Sequence, residues 1–119
     1  MARVALLCRD LLFGSKLEAG LRGAGHEVTR YDGEEMARAA APRADVLVVD
    51  LTAEEFDGAV LVESMKMGGE LASVRSLGFY SHVDDATRRR ALEAGFDVVV
   101  PRSRMAREMA SLVDGLADG

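Results

Sequence analysis

Short apolar runs in this sequence stop on side chains that can do chemistry. Val4–Leu7 leads into Cys8, Arg9 and Asp10, and Val46–Val49 ends on Asp50 with Thr52 two residues on. Leu77-Gly78-Phe79 is followed by Tyr80 and Ser81, and Val98–Val100 by Pro101 and Arg102. Carboxylate, thiol, guanidinium and hydroxyl groups are the working parts of nucleophilic, metal-binding and anion-binding sites. Several familiar sites are absent. No Ser-His-Asp or Cys-His spacing supports a hydrolase, and no His/Cys spacing suggests zinc. The stretch CRDLLFGS holds one glycine, too few for a phosphate-cradling loop.

Five strand candidates would bring these residues together: Val4–Cys8, Glu27–Tyr31, Ala44–Asp50, Ser73–Tyr80 and Asp97–Val100. Val46–Val49 and Val98–Val100 are continuously apolar, as strands buried on both faces should be. Helix-like stretches alternate with them. Phe13, Leu17 and Leu21 put one apolar stripe on the first helix, which Gly23 and Gly25 end. Asp32 with Glu35 reads as a capping box for the second helix, and Pro42 closes it. Thr52 with Glu55 reads as the same box for the third, ending at Gly68-Gly69. Asp84 or Asp85 caps the fourth, with Gly95 behind it, and Met105, Met109, Leu112 and Leu116 line the last. Such alternation implies right-handed βαβ crossovers and a three-layer α/β sandwich over a single domain, residues 1–119. In such folds the functional crevice lies at the carboxyl ends of the strands, where the residues named above fall.

Composition narrows the classes. Of 119 residues, 49% are hydrophobic and 29% charged, a balance suited to one folded domain. The net charge of −5 argues against general nucleic-acid binding, which draws on phosphate neutralisation. No apolar run approaches the ~20 residues that span a bilayer. The first ten residues are too quickly charged for a secretory signal. One cysteine allows no internal disulfide, so a reducing cytoplasm is the expected compartment. Asp114–Gly119 is expected to fray.

Ala44 to Gly58, ADVLVVDLTAEEFDG, resembles the third strand, phosphoacceptor aspartate and following Asp-Gly of response-regulator receiver domains. Tyr80, Gly95 and Arg102 fall at that family's usual separations from Asp50, and DDATRRRALEAGFDVVV is similar to its fourth helix and fifth strand. The resemblance covers essentially the whole chain. It implies a flavodoxin-like fold, a five-stranded parallel sheet in the order 2-1-3-4-5, and a signalling role without enzymatic activity of its own.

The site departs from the family pattern. Cys8 and Arg9 stand where the family carries two acidic residues that hold Mg²⁺, with Asp10 one place later. Tyr80, beside Ser81, takes the place of the small hydroxyl residue after strand four, and Pro101-Arg102-Ser103 replaces Lys-Pro. Asp50 alone is kept. Mg²⁺ prefers oxygen ligands in octahedral geometry. A fixed positive charge about 4 Å from a carboxylate is worth roughly 4 kcal/mol at an effective dielectric near 20, before desolvation. The expectation is therefore no bound cofactor, with Arg9 or Arg102 pairing Asp50 in place of the ion.

Each of these residues also has a plainer reading. Asp50 can form an Asx turn, Asp10 can cap the first helix, Cys8 can be a small buried hydrophobe and Tyr80 a packing residue. His82 reads as a solvated loop residue. Arg88, Arg89, Arg90, Arg104 and Arg107, with Arg102, cluster on the stretch that receivers use for dimers or output. That stretch is read as a face for a protein partner or a second copy, or as a solvated face using i,i+4 pairs from Asp84 and Asp85. The expected function is an atypical stand-alone receiver acting as a protein-binding module with little or no phosphotransfer. An active receiver phosphorylated on Asp50, with Asp10 moved into the Mg²⁺ role, and a small-molecule-binding flavodoxin-like domain stay open beside it.

Overall fold

The computed structural model describes residues 1–81 and 83–118, which leaves His82 outside the described residues. Strands and helices alternate: β1 (Arg3–Leu7), α1 (Leu11–Gly23), β2 (Glu27–Tyr31), α2 (Glu34–Ala40), β3 (Val46–Asp50), α3 (Gly58–Met67), β4 (Arg75–Tyr80), α4 (Asp85–Ala94), β5 (Val98–Pro101) and α5 (Arg102–Asp118). A 3₁₀ turn over Ala41–Arg43 contains Pro42 and separates α2 from β3. The strands form one parallel sheet in the order 2-1-3-4-5, as the alternation and the resemblance imply.

The side-chain period of two sorts the sheet into two cores. Val4, Leu6, Val46, Val48, Leu77 and Phe79 face α1 and α5, packing on Phe13, Leu17, Leu21, Met105, Met109 and Val113. Ala5, Leu7, Leu47 and Val49 face the other way, onto Ala37, Leu61, Val62, Met65 and Ala91 of α2, α3 and α4. β3 is central and buried at all five positions. β5 is an edge strand, so of its valines Val100 alone is fully buried, and the expectation of two covered faces does not hold there.

Several helix ends follow the sequence signals. Asp10 caps α1, its carboxylate accepting the Phe13 amide at 3.0 Å. Asp84 caps α4 through Thr87, and Gly95 ends that helix at φ 107°, a left-handed conformation that favours glycine. Two capping boxes are corrected. The N-cap of α2 is Gly33, in extended backbone with no side-chain bond, one residue past Asp32. α3 begins only at Gly58, capped by Asp57, because Thr52 is engaged with Asp50. Of Asp114–Gly119, expected to fray, Asp114–Asp118 is helical with Asp114 tied to His26, and Gly119 lies outside the described residues.

Candidate functional site

Three loops meet above the carboxyl ends of β1, β3 and β5. Asp50 closes β3 and is 2% exposed. Its Oδ1 accepts two bonds from Thr52, the backbone amide at 2.8 Å and the hydroxyl at 2.6 Å. The amide bond is the Asx turn that a strand-end Asp favours. The Cys8 thiol, at the end of β1, donates toward Asp50 Oδ2 and toward the Asp10 carbonyl, each at 3.8 Å. Burial, then the neighbouring Asp50 charge, pushes the Cys8 thiol up to about 12. Cys8 is accordingly a protonated, buried thiol at neutral pH rather than a thiolate nucleophile or ligand.

The arginines go elsewhere than to Asp50. Arg102 Nη2 donates to Asp10 Oδ2 at 2.9 Å, and its guanidinium lies 4.2 Å over the Phe13 ring. Phe13 in turn tilts against Phe79 of β4, with ring centroids 5.2 Å apart. The Phe13 amide and Arg102 together hold the Asp10 carboxyl below the usual carboxylate range. Arg9 pairs with Glu55 at 3.8 Å, across the cleft that Arg9, Asp10, Asp50, Thr52, Glu54 and Glu55 line. The expected guanidinium on Asp50 is thus replaced by Thr52 and Cys8. Because α1 and α5 pack on the same face of the sheet, Arg102 emerges beside Phe13 and Asp10, and this draws it away from Asp50.

The remaining candidates divide. Tyr80 is 6% exposed and packs at the end of β4, while Ser81 borders a cavity of about 470 Å³ with Phe13, Thr52, Arg102 and Ser103. Arg90 turns away from the other arginines and donates to Asp57 Oδ2 at 2.8 Å, which ties α4 to the cap of α3. Arg90 holds the Asp57 carboxyl below the usual range. Arg104 and Arg107 share Glu108, at 3.3 and 3.5 Å. Arg88 and Arg89 are exposed, and the i,i+4 pairs to Asp84 and Asp85 do not form among the described residues, since Asp84 turns back to cap α4.

Glu55 as the partner of Arg9, and Phe13 as the platform beneath Arg102, went unread in the sequence. Phe13 carried only a core signal there, and Glu55 only a capping one.

No protein-family model matches this sequence, and no curated protein matches it. Solved structures do. The fold is similar to that of a response regulator from Chloroflexus aurantiacus J-10-fl, at TM-score 0.88 and 22% identity over 99% of this chain and 98% of that one. It is similar to the signal receiver domain of the response regulator NarL from Mycobacterium tuberculosis, at TM-score 0.84 and 21% identity over 99% and 97%. The receiver domain of a sensor histidine kinase from Pseudomonas aeruginosa, with magnesium coordinated in its active-site cleft, matches at TM-score 0.86 and 18% identity over 99% and 98%. At such identities the likeness is one of fold, and function has to be argued from the site.

Proposed function

We propose that this chain is a receiver-type signalling domain that works as a protein-binding module, with its acidic site turned from metal-dependent phosphotransfer into a fixed clasp between loops. The observation that carries the proposal is the bonding of Asp50. The carboxylate in the phosphoacceptor position is held by Thr52 and faced by a protonated thiol, while Arg102 is spent on Asp10.

The donor set argues against Mg²⁺. A hard cation needs several free oxygens in octahedral array. Asp10 offers one oxygen to the Phe13 amide and the other to Arg102, and one Asp50 oxygen already accepts two bonds. Arg9 adds a positive charge to the same cleft. Among the described residues, no group of three or more His, Cys, Asp or Glu side chains is arranged to hold a metal ion. These residues do not fit the ion.

The clasp has a use without phosphate. Asp10 belongs to the β1–α1 loop and Arg102 opens α5, so their bond fixes α5 relative to α1. The Asp57–Arg90 pair fixes α4 relative to α3. The helices flanking β5 are thereby set in one arrangement. The face they form carries Arg88, Arg89, Arg104 and Arg107, and it would receive an acidic protein partner or a second copy. Arg90 is withdrawn from that face. The acidic chain as a whole makes nucleic acid a poor partner. No described helix is long and apolar enough to cross a membrane, and a cytoplasmic setting is part of this reading.

Calorimetric titration with Mg²⁺ tests the proposal. The wild-type protein should give no binding isotherm, and the double variant Cys8→Asp, Arg9→Asp should acquire one. Wild-type binding that is lost in Asp50→Asn would overturn the proposal in favour of an active receiver.

A further inference from the structure

Helix α5 is not continuous. Glu108 has φ −120° and ψ 17°, outside helical geometry, and divides the element into residues 102–107 and 109–118. Neither proline nor glycine stands at the break. Instead the Ser111 hydroxyl donates to the Glu108 carbonyl at 3.1 Å, a side chain taking a backbone acceptor. Arg104 and Arg107 hold the Glu108 carboxylate from outside.

The two segments are held by different contacts at opposite ends of the sheet. Arg102 starts the first segment, bonded to Asp10 and stacked on Phe13, and Met105 of the same segment is buried in the core. The second segment is held at the amino ends of the strands. Met109 lies in the space that Gly20 leaves on α1, and Val113 is buried. Asp114 Oδ1 lies 2.7 Å from His26 Nε2, and His26 Nδ1 lies 3.0 Å from the Ala2 backbone nitrogen.

The imidazole is 3% exposed in its side chain, and both of its nitrogens are engaged. A backbone N–H can only donate, so Nδ1 accepts from Ala2, which leaves the ring proton on Nε2 to donate to Asp114. One imidazole therefore joins the residue before β1, the turn before β2 and the second segment of α5.

We propose that α5 is a jointed element and that the His26–Asp114 bond is the latch fixing its second segment independently of the first. The joint lets the site end of α5 keep its contacts with Asp10 and Phe13 while the far end is held by His26.

Hydrogen exchange on the full chain, read separately over the two segments, tests this. Asp114→Ala should speed exchange after Glu108 by about tenfold, equivalent to roughly 1.4 kcal/mol in a local opening equilibrium. The segment before Glu108 should stay near its wild-type rate. Asp114→Asn keeps an acceptor oxygen for the Nε2 proton and should behave as wild type. Equal acceleration of both segments by Asp114→Ala would show that α5 opens as one helix. No acceleration, or Asp114→Asn as disruptive as Asp114→Ala, would remove the latch.

Discussion

Asp50 and Asp10 stand in one cleft and do different work. Asp50 is nearly inaccessible, and it bonds a residue two positions on and the Cys8 thiol across the strand gap. Asp10 is partly exposed, and it joins a helix cap to an ion pair that spans 92 positions in sequence. That bond has a pH signature. A carboxyl whose folded-state pKa lies below its unfolded value, about 3.9, contributes stability above that value and loses it as pH falls through the folded one. Asp10 is shifted in that direction. Wild type should therefore be more stable than Asp10→Asn at neutral pH, and the difference should shrink as pH drops below about 4. Denaturant titrations at pH 7 and pH 3 would check it, and a gap of equal size at both would refute the assignment. Strand-end position in the sequence was enough to place Cys8, Asp10, Asp50, Thr52 and Arg102 together. It could not rank two carboxylates as partners for one guanidinium. That choice depends on α1 and α5 sharing a face, and on an aromatic ring beneath Arg102.

Helices and strands were legible where one strong local signal governs them. The stripe Phe13, Leu17, Leu21, the glycine end at Gly95 and a cap at Asp84 or Asp85 are short-range patterns, and they hold, with the cap falling on Asp84. The box at Thr52 failed because a side chain that can cap can also bond elsewhere, and Thr52 bonds Asp50 two residues back; at Asp32 the cap position falls one residue later, on Gly33. The break in α5 has no proline or glycine to announce it, and the partner of His26 lies 88 positions away. The start of α3 depends on a glycine for a different reason. A Cβ at Gly58 would come within 2.7 Å of Val49 and 2.9 Å of Leu51, both packed under the helix. Gly58→Ala should cost about 1–3 kcal/mol by overpacking. At Gly14 the nearest obstacle is the guanidinium end of Arg30, which can move. Gly14→Ala should thus stay within about 1 kcal/mol of wild type, helped by the better helix propensity of alanine. Equal costs at the two sites in urea denaturation would contradict this packing account.

At the scale of the whole molecule, Cys8, Asp10, Asp50, Thr52 and Arg102 gather at the carboxyl ends of the strands. The clasp of Asp10 with Arg102 links α5 to the β1–α1 loop, the Asp57–Arg90 pair links α4 to the cap of α3, and Arg88, Arg89, Arg104 and Arg107 sit on the helices on either side of the edge strand β5. In the proposed function, Arg88, Arg89, Arg104 and Arg107 give an acidic chain of net charge −5 a local basic face for a partner. The fold is that of receiver domains, and the proposed function assigns its site a different chemistry. The central claim is that Asp50 serves as a bonded corner of the clasp and does not accept phosphate. Its most direct test is intact-mass spectrometry after incubation with acetyl phosphate and Mg²⁺. The account predicts no phosphoryl adduct on the wild-type protein, whose spectrum should match that of Asp50→Asn. A magnesium-dependent adduct on wild type that is missing from Asp50→Asn would contradict it.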